Sequence, residues 1–149
     1  MRYFIDTNIF LFLQNDTDEL DSDVRAIIED YENSMLISSE SIREIAALIK
    51  SGRIEVKGWQ TYSDIKKSLD THDIEIRYVA EAHLKTLFTL RPAPNHSDPA
   101  DMMIIAQAIT EGIPLISSDT KFPLYVQQGL KFIHNRRGAA ARKRPRPAE

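Results

Sequence analysis

The stretch from residue 98 to residue 119, DPADMMIIAQAITEGIPLISSD, decides the fold. Asp98 followed by a proline is a typical helix start, and Gly112 is a typical helix end. The following Pro114-Leu115-Ile116-Ser117 has the apolar character of a short buried strand, which Asp119 closes. A helix that leads directly into a short buried strand is typical of a parallel α/β sheet.

The same alternation of short strands and helices runs through the rest of the chain. Apolar patterns predict strands near residues 2–5, 35–37, 74–76, 114–117 and 130–133. Helices are predicted between them, over residues 7–14, 22–31, 39–50, 61–69, 79–87 and 99–111. We therefore predict an α/β fold of three layers, α/β/α, with a short, mostly parallel central sheet of about five strands.

Composition places the chain among ordinary single-domain proteins. It has 149 residues, of which 42% are hydrophobic and 28% are charged. The absence of cysteine excludes disulfides, thiolate metal sites and cysteine nucleophiles. Asp6 interrupts the first apolar stretch before it resembles a signal peptide, and no apolar run is long enough to cross a bilayer. We expect a cytoplasmic protein with no membrane segment.

Charge is distributed unevenly between the body and the end of the chain. The net charge is −3, but residues 135–149 hold six Arg or Lys and one Glu, so residues 1–134 carry a net charge of −8. We predict one folded domain over residues 1–134 and a basic, disordered tail over residues 135–149. An acidic body disfavours nonspecific nucleic-acid binding, so any such chemistry would depend on a metal and a local basic rim.

Four acidic residues stand where a strand ends or a helix begins: Asp6, Glu44, Asp101 and Asp119. A parallel α/β fold gathers the carboxyl ends of its strands in one crevice. Carboxylates that are brought together repel and raise each other's pKa unless a cation lies between them. Cations of the magnesium class prefer carboxylate and water oxygens. The sequence therefore predicts a divalent metal site.

The strongest of these four candidates from spacing alone is Asp101. It shares one helical stripe with Ile104, Ile105 and Ala108, so its carboxylate heads an apolar face. A carboxylate there has to be paired or bound to metal, or its pKa shifts. Asp98, one turn earlier, is better explained as the helix cap and a supporting residue.

The other three acids have ordinary structural explanations as well. Asp6 and Asp119 also fit as caps of the turns or helices that follow them. Glu44 lies off the apolar stripe of its helix, where a solvated glutamate is the usual expectation. His96 is close enough to Asp98 to border the site, but it has no evident pairing partner and we interpret it as a loop residue.

The ordered set of these motifs resembles the PIN domain, and within it the VapC-like toxins of type II toxin–antitoxin systems. The likeness runs from residue 2 to about residue 133, and the ordered set is more specific than any one motif. The motifs are Asp6-Thr7-Asn8, Ser41-Ile42-x-Glu44-Ile45-Ala46, His96-x-Asp98-Pro99-x-Asp101, Ile104-Ile105-Ala106-Gln107-Ala108 and Ser118-Asp119-x-x-Phe122.

The resemblance implies a metal-dependent ribonuclease whose catalytic and metal-binding residues are Asp6, Glu44, Asp101 and Asp119. It also implies Mg²⁺ or Mn²⁺ as cofactor, RNA as substrate, a homodimer, and inhibition by a cognate antitoxin. Glu44 enters the site only through this resemblance. The branch usually has Phe at the position of Ala100 and Arg at the position of Met102, and the loss of that Arg removes a cation near the acids.

Within this hypothesis the acids and their neighbours have different roles. Asp6 and Asp101 would bind metal most directly, while Glu44 and Asp119 would position a second ion or the attacking water. Four supporting residues would orient the acids or hydrogen-bond the scissile phosphate, and they are Thr7, Asn8, Ser117 and Ser118. Asp98 is the fifth supporting residue, at the cap beside Asp101.

Two other functions stay open from the sequence. A catalytically degenerate PIN-like module that only binds a partner protein is compatible with the departures at Ala100 and Met102. A phosphoryl-transfer protein would use Asp6 as the phosphorylated residue. An aspartyl phosphatase needs a second aspartate where Asn8 stands, however, and a signalling receiver needs paired acids where Thr7 follows Asp6.

Overall fold

The computed structural model of the protein describes residues 1–138. Within them one sheet of five strands has the order β3-β2-β1-β4-β5, and every neighbouring pair is parallel. The strands are β1 (Arg2–Ile5), β2 (Ser34–Ser38), β3 (Ile74–Arg77), β4 (Leu115–Ser117) and β5 (Phe132–His134). The predicted five-stranded α/β fold is confirmed, and its sheet is parallel throughout.

Helices connect the strands in the order that the sequence predicts. The α-helices are α1 (Thr7–Asn15), α2 (Ser22–Glu29), α3 (Ser39–Lys50), α4 (Tyr62–Thr71), α5 (Glu81–Thr89) and α6 (Pro99–Glu111). Two 3-10 helices, Thr17–Glu19 and Phe122–Gln128, complete the described secondary structure. None of the helices in residues 1–138 is long and apolar enough to span a membrane.

Hydrophobic residues cover both faces of the sheet in two separate clusters. Ile5 and Ile37 belong to one cluster, whereas their neighbours Phe4 and Leu36 belong to the other. Successive strand residues point to opposite faces, so strands that are buried on both sides read as continuous apolar runs. This arrangement is the three-layer packing of the predicted fold, with the sheet between two helical layers.

The sheet changes direction between β1 and β4. From β1 the chain adds β2 and β3 on one side, and then returns to place β4 on the other side. In the β1–β4 register Ile5 lies beside Ile116, and the backbone N–H of Asp6 donates to the Ile116 carbonyl at 3.0 Å. Such a switch point is where open parallel sheets carry their sites, at the carboxyl ends of the strands.

Helix α6 is fixed at both ends and in its middle. The Asp98 side chain caps it by accepting from the backbone N–H groups of Ala100 at 2.9 Å and Asp101 at 3.2 Å, and Gly112 ends it with a φ of 64°. Gln107 is buried, hydrogen-bonds the Ser38 side chain and donates to a backbone carbonyl at the end of β3. These contacts hold the first turn of α6 near the switch point.

The folded part of the chain continues past residue 134. Asn135 is buried, and its side-chain amide donates to the Glu19 carbonyl at 2.9 Å and to Ser118 Oγ at 2.8 Å. Its side-chain oxygen accepts from the Asp21 backbone N–H at 2.8 Å. Arg136 and Arg137 form ion pairs with acids of the same region. The domain therefore extends to Arg137 at least, and the disorder predicted for residues 139–149 lies outside the described residues.

We expect Asn135→Ala to lower the free energy of unfolding by about 2 kcal/mol, because it removes the partner of the buried Asp21 backbone N–H and of the half-buried Glu19 carbonyl. Urea denaturation of the full-length protein measures this. Asn8→Ala, at an exposed position of α1, is the matched control and should change stability by no more than about 0.5 kcal/mol. Equal unfolding curves for the two variants would contradict the prediction.

Candidate functional site

The four acids that the sequence singles out lie together at the carboxyl ends of the strands. Asp6 follows β1, Asp119 follows β4, Asp101 is in the first turn of α6 and Glu44 is in the middle of α3. The charges of Asp101 and Glu44 both act on Asp6, and those of Asp119 and Glu44 act on Asp101. Four segments that are distant in sequence therefore form one acidic cluster.

Asp6 is the most deeply placed acid of the cluster, with only 6% of its surface exposed. One carboxylate oxygen, Oδ1, accepts from the Thr7 backbone N–H at 2.8 Å, and the other, Oδ2, accepts from the Ser117 hydroxyl at 2.7 Å. Burial raises the pKa of Asp6 to about 7; the charges of Asp101 and Glu44 act in the same direction, and the two hydrogen bonds oppose them.

Glu44 is turned toward the cluster by a hydroxyl from α1. Thr7 Oγ1 donates to Glu44 Oε1 at 2.6 Å and also lies 2.8 Å from Ser41 Oγ. Because the Thr7 hydroxyl has a single proton, Ser41 is the donor in the second bond. Burial, and then the charge of Asp98, raise the pKa of Glu44. The solvated position that spacing alone predicted for Glu44 is wrong, because this contact from α1 draws its carboxylate inward.

Asp101 has a partner that the sequence analysis missed. His96 is buried, and its Nε2 lies 3.0 Å from Asp101 Oδ2. Burial raises the pKa of Asp101 to about 7, followed by the charges of Asp98, Asp119 and Glu44, while Lys121 lowers it. His96 lies in the loop before α6, as predicted, but it has a pairing partner that the sequence did not reveal. Its sequence signals were its nearness to Asp98 and its place in the motif shared with PIN domains.

Asp119 is half-buried and is linked to Asp6 through one serine. Its backbone N–H donates to Ser117 Oγ at 3.0 Å, and that hydroxyl in turn donates to Asp6. The Asp119 side chain accepts from the Lys121 backbone N–H at 2.8 Å. Single ligand atoms of His96, Asp101 and Asp119 lie within 4.8 Å of one another. This spacing is compact enough for one metal ion.

The supporting residues of the prediction divide into two groups. Thr7 and Ser117 contact the acids directly, and Asp98 caps α6 beside Asp101. Asn8 is exposed on the first turn of α1. Ser118 instead accepts a hydrogen bond from Asn135, so its hydroxyl ties down the chain end rather than an acid.

The two positions that depart from the VapC-like pattern are part of the core. Ala100 and Met102 are buried, and Met102 packs in the same cluster as Phe122 and Tyr125. The Tyr125 hydroxyl lies 3.3 Å from Met102 Sδ. Met102 therefore fills the interior behind α6 and offers no charge to the site.

The donor set of the cluster fits a divalent cation. Carboxylates are the ligands that hard cations prefer, and the cluster offers four of them. Burial raises the pKa of Asp6 and of Asp101 to about 7, so it disfavours their ionised forms. A bound cation favours the ionised forms. Nearby positive charge is limited in the described residues to side chains at the rim, such as Lys121 and Arg43.

A family model of the PIN domain matches residues 3–126. The chain belongs to the PIN domain family. PIN domains are nucleases, which are hydrolases, and the acidic cluster of this PIN domain lies within the matched region. A comparison with curated protein sequences gave no match.

Solved structures with the same fold include three VapBC complexes. VapBC2 from Rickettsia felis, bound to a DNA fragment from the promoter, aligns with a TM-score of 0.65 at 19% identity, over 91% of this chain and 99% of that one. DNA-bound VapBC from Salmonella typhimurium gives 0.63 at 16%, over 90% and 98%. VapBC-1 from nontypeable Haemophilus influenzae gives 0.57 at 21%, also over 90% and 98%. At these identities the likeness shows that the fold is shared.

We expect the metal-free PIN domain to lose stability as the pH rises from about 4 to about 7. Asp6 and Asp101 have a pKa near 7 in the folded protein against an ordinary value of 3.8, so the folded state binds more protons in this window. The contribution of these two groups to the stability is therefore fully present below about pH 4. It is lost progressively as the pH rises to about 7. Urea unfolding in EDTA at several pH values measures the slope.

The variant Asp6→Asn should flatten this slope and should be more stable than the wild type at pH 8, by on the order of 1–2 kcal/mol. The control is Asp23→Asn, at a side chain that is 86% exposed, and it should keep the wild-type slope. Parallel pH profiles for Asp6→Asn and the wild type would show that burial does not raise the pKa of this carboxyl.

Proposed function

We propose that this PIN domain is a metal-dependent endoribonuclease that hydrolyses RNA phosphodiester bonds, and that it is the toxin of a type II toxin–antitoxin pair. One observation carries the proposal: carboxylates that follow β1 and β4 converge with carboxylates of α3 and α6. Burial and mutual repulsion oppose the ionisation of three of them, Asp6, Glu44 and Asp101. A cluster of this kind is unfavourable in isolation and becomes favourable when it binds a cation.

Mg²⁺ or Mn²⁺ would be held by Asp6, Glu44, Asp101 and Asp119. When bound, such an ion lowers the pKa of a water ligand and stabilises the charge that gathers on the phosphate. A cation would also favour the ionised carboxylates, so it would oppose the loss of stability that we expect of the metal-free protein as the pH rises. We favour Asp6 and Asp101 as the most direct ligands because the charge of Asp101 acts on Asp6, and because Asp101 offers a ligand atom within 4.8 Å of one from Asp119.

The residues around the acids hold them in place. Thr7 is central, because its backbone N–H binds Asp6 and its hydroxyl binds Glu44. Ser117 fixes the other oxygen of Asp6 and receives the backbone N–H of Asp119. Of the predicted phosphate-contacting residues, Asn8 is the one that is exposed and available to RNA.

Two cations flank the cluster and would guide the RNA backbone. Arg43, on α3, interacts electrostatically with Glu44 and Asp98 and forms an ion pair with Glu40 at 3.1 Å. Lys121 acts on Asp101 from the other side. Because the body of the protein is acidic, binding of RNA would depend on this rim together with the bound ion.

The two alternative functions fit the structure less well. A phosphorylated aspartate has to be accessible, but Asp6 is buried and both of its oxygens accept hydrogen bonds. A degenerate protein-binding module would not need four convergent carboxylates, and the pKa values of Asp6, Glu44 and Asp101 are raised, as is common at functional sites. The departures at Ala100 and Met102 lie in the core, away from these carboxylates.

The partner proposals rest on the likeness to the VapBC structures. We propose that the chain binds a cognate antitoxin protein, forms a homodimer and acts in the cytoplasm.

Ribonuclease activity should require both metal and the acids. Purified protein should cleave single-stranded RNA with Mn²⁺ or Mg²⁺ and not with EDTA. Asp6→Asn and Asp101→Asn should each lower the rate at least about 100-fold, since loss even of residues behind metal ligands costs about 10- to 100-fold. The control Asp23→Asn should cleave at the wild-type rate. Equal cleavage by Asp6→Asn would identify a contaminant, and incorporation of label from acetyl phosphate would favour phosphoryl transfer.

The toxin assignment predicts a partner gene. We expect the open reading frame upstream to encode a small protein with a DNA-binding N-terminus that co-purifies with this chain and inhibits its cleavage of RNA. Light scattering of the isolated protein should give a mass twice that of the 17.1 kDa chain. If the protein cleaves RNA but purifies alone as a monomer, and no inhibitor is encoded beside it, the nuclease assignment would stand. The toxin assignment would then be wrong.

A further inference from the structure

The buried histidine beside Asp101 has both of its ring nitrogens engaged. His96 is only 5% exposed, its Nε2 lies 3.0 Å from Asp101 Oδ2, and its Nδ1 lies 2.6 Å from the Tyr125 hydroxyl. Its ring also packs against the rings of Phe122 and Tyr125, at centroid distances of 6.1 and 5.4 Å. The imidazole ring of His96 is therefore held through both nitrogens and by its aromatic neighbours.

The hydrogen-bond partners of Tyr125 indicate which nitrogen of His96 carries the imidazole proton. The Tyr125 oxygen accepts from the backbone N–H of Ala93 at 2.9 Å. Its own proton has two acceptors within reach, His96 Nδ1 at 2.6 Å and Met102 Sδ at 3.3 Å. Because a thioether is a weak acceptor, the proton goes to Nδ1. The imidazole proton then lies on Nε2, which donates to Asp101.

We infer that His96 is a positioning residue for Asp101, an inference that rests on the proposed metal-dependent function. Its Nε2–H holds Asp101 Oδ2, and the Tyr125 hydroxyl fixes the tautomer that makes this donation possible. The other carboxylate oxygen, Oδ1, is left for the ion. The 3-10 helix that carries Tyr125 thereby supports the first turn of α6, although it contributes no acid to the site.

A direct role for His96 as a metal ligand is the competing explanation. Its ligand atom lies within 4.8 Å of those of Asp101 and Asp119, so the spacing alone permits it. A nitrogen that carries a proton has no lone pair to give to a metal, however, and Nδ1 is occupied by Tyr125. The two roles therefore predict different spectra for the bound ion and different effects of substituting Tyr125.

The test measures Mn²⁺ binding to the full-length protein from the EPR signal of free Mn²⁺. His96→Leu, which keeps bulk but has no donor, should weaken binding about 10- to 100-fold. His96→Gln retains an N–H donor and should recover part of that loss. Tyr125→Phe removes only the hydroxyl that sets the tautomer, and it should weaken binding measurably but less than His96→Leu.

A second buried histidine provides the matched control. His83 accepts from the Ala80 backbone N–H and contacts Glu111 at 2.9 Å, so both of its nitrogens are also engaged, but its partners are outside the acidic cluster. His83→Leu should lose thermal stability and keep the wild-type affinity for Mn²⁺. Thermal unfolding of each variant distinguishes a loss of the fold from a loss of metal binding. If His96→Leu does not fold, the Mn²⁺ affinity of Tyr125→Phe tests the inference instead.

Two spectroscopic measurements complete the design. Nitrogen-15 NMR of the metal-free protein should show the Nε2–H tautomer of His96, and the Nδ1–H tautomer would overturn the inference. Electron spin echo spectra of bound Mn²⁺ should lack the coupling of a directly bound ring nitrogen, and its presence would make His96 a ligand. If the wild type and His96→Leu bind Mn²⁺ equally well, His96 does not position Asp101, and the proposed metal-dependent function is unaffected. A wild type that binds no Mn²⁺ would overturn the proposed function and this inference together.

Discussion

The site depends on one parallel strand pairing, that of β1 with β4. The backbone N–H of Asp6 donates to the carbonyl of Ile116, and one residue later the Ser117 hydroxyl donates to the Asp6 carboxylate. The second of these bonds joins residues that lie 111 positions apart in the sequence. The same pairing also fixes the position of Asp119, because the backbone N–H of Asp119 donates to the Ser117 hydroxyl. Without this register the acids would have no common location.

The fold holds the four carboxylates close together although like charges repel. Burial raises the pKa of Asp6 and Asp101, and each carboxylate adds to the cost of ionising its neighbours. The opposing contributions are local: hydrogen bonds from Thr7 and Ser117, and the charge of Lys121 at the rim. The fold therefore keeps an arrangement that its own packing disfavours, which is characteristic of sites that bind an ion.

Local patterns were sufficient to predict the strands and the ends of α6, and among the acids they singled out Asp101. The cap at Asp98, the helix end at Gly112 and the alternation of apolar strands all depend on residues within a few positions of one another. The features that local spacing did not predict depend on distant partners. Glu44, which entered the prediction only through the family resemblance, accepts a hydrogen bond from a residue 37 positions away, and His96 contacts one 29 positions away. Asn135 belongs to the fold through a contact that spans 114 positions.

The route of the chain end has a practical consequence for handling the protein. Asn135 bonds to Ser118, the residue before Asp119, so residues 135–137 lie at the carboxyl ends of the strands, where the acids are. Met1 precedes β1 and contacts Asn33 just before β2, at the opposite ends of the strands. A purification tag at the N-terminus would therefore begin on the side of the sheet away from the acids, and its chelating groups would not start beside the proposed metal ligands.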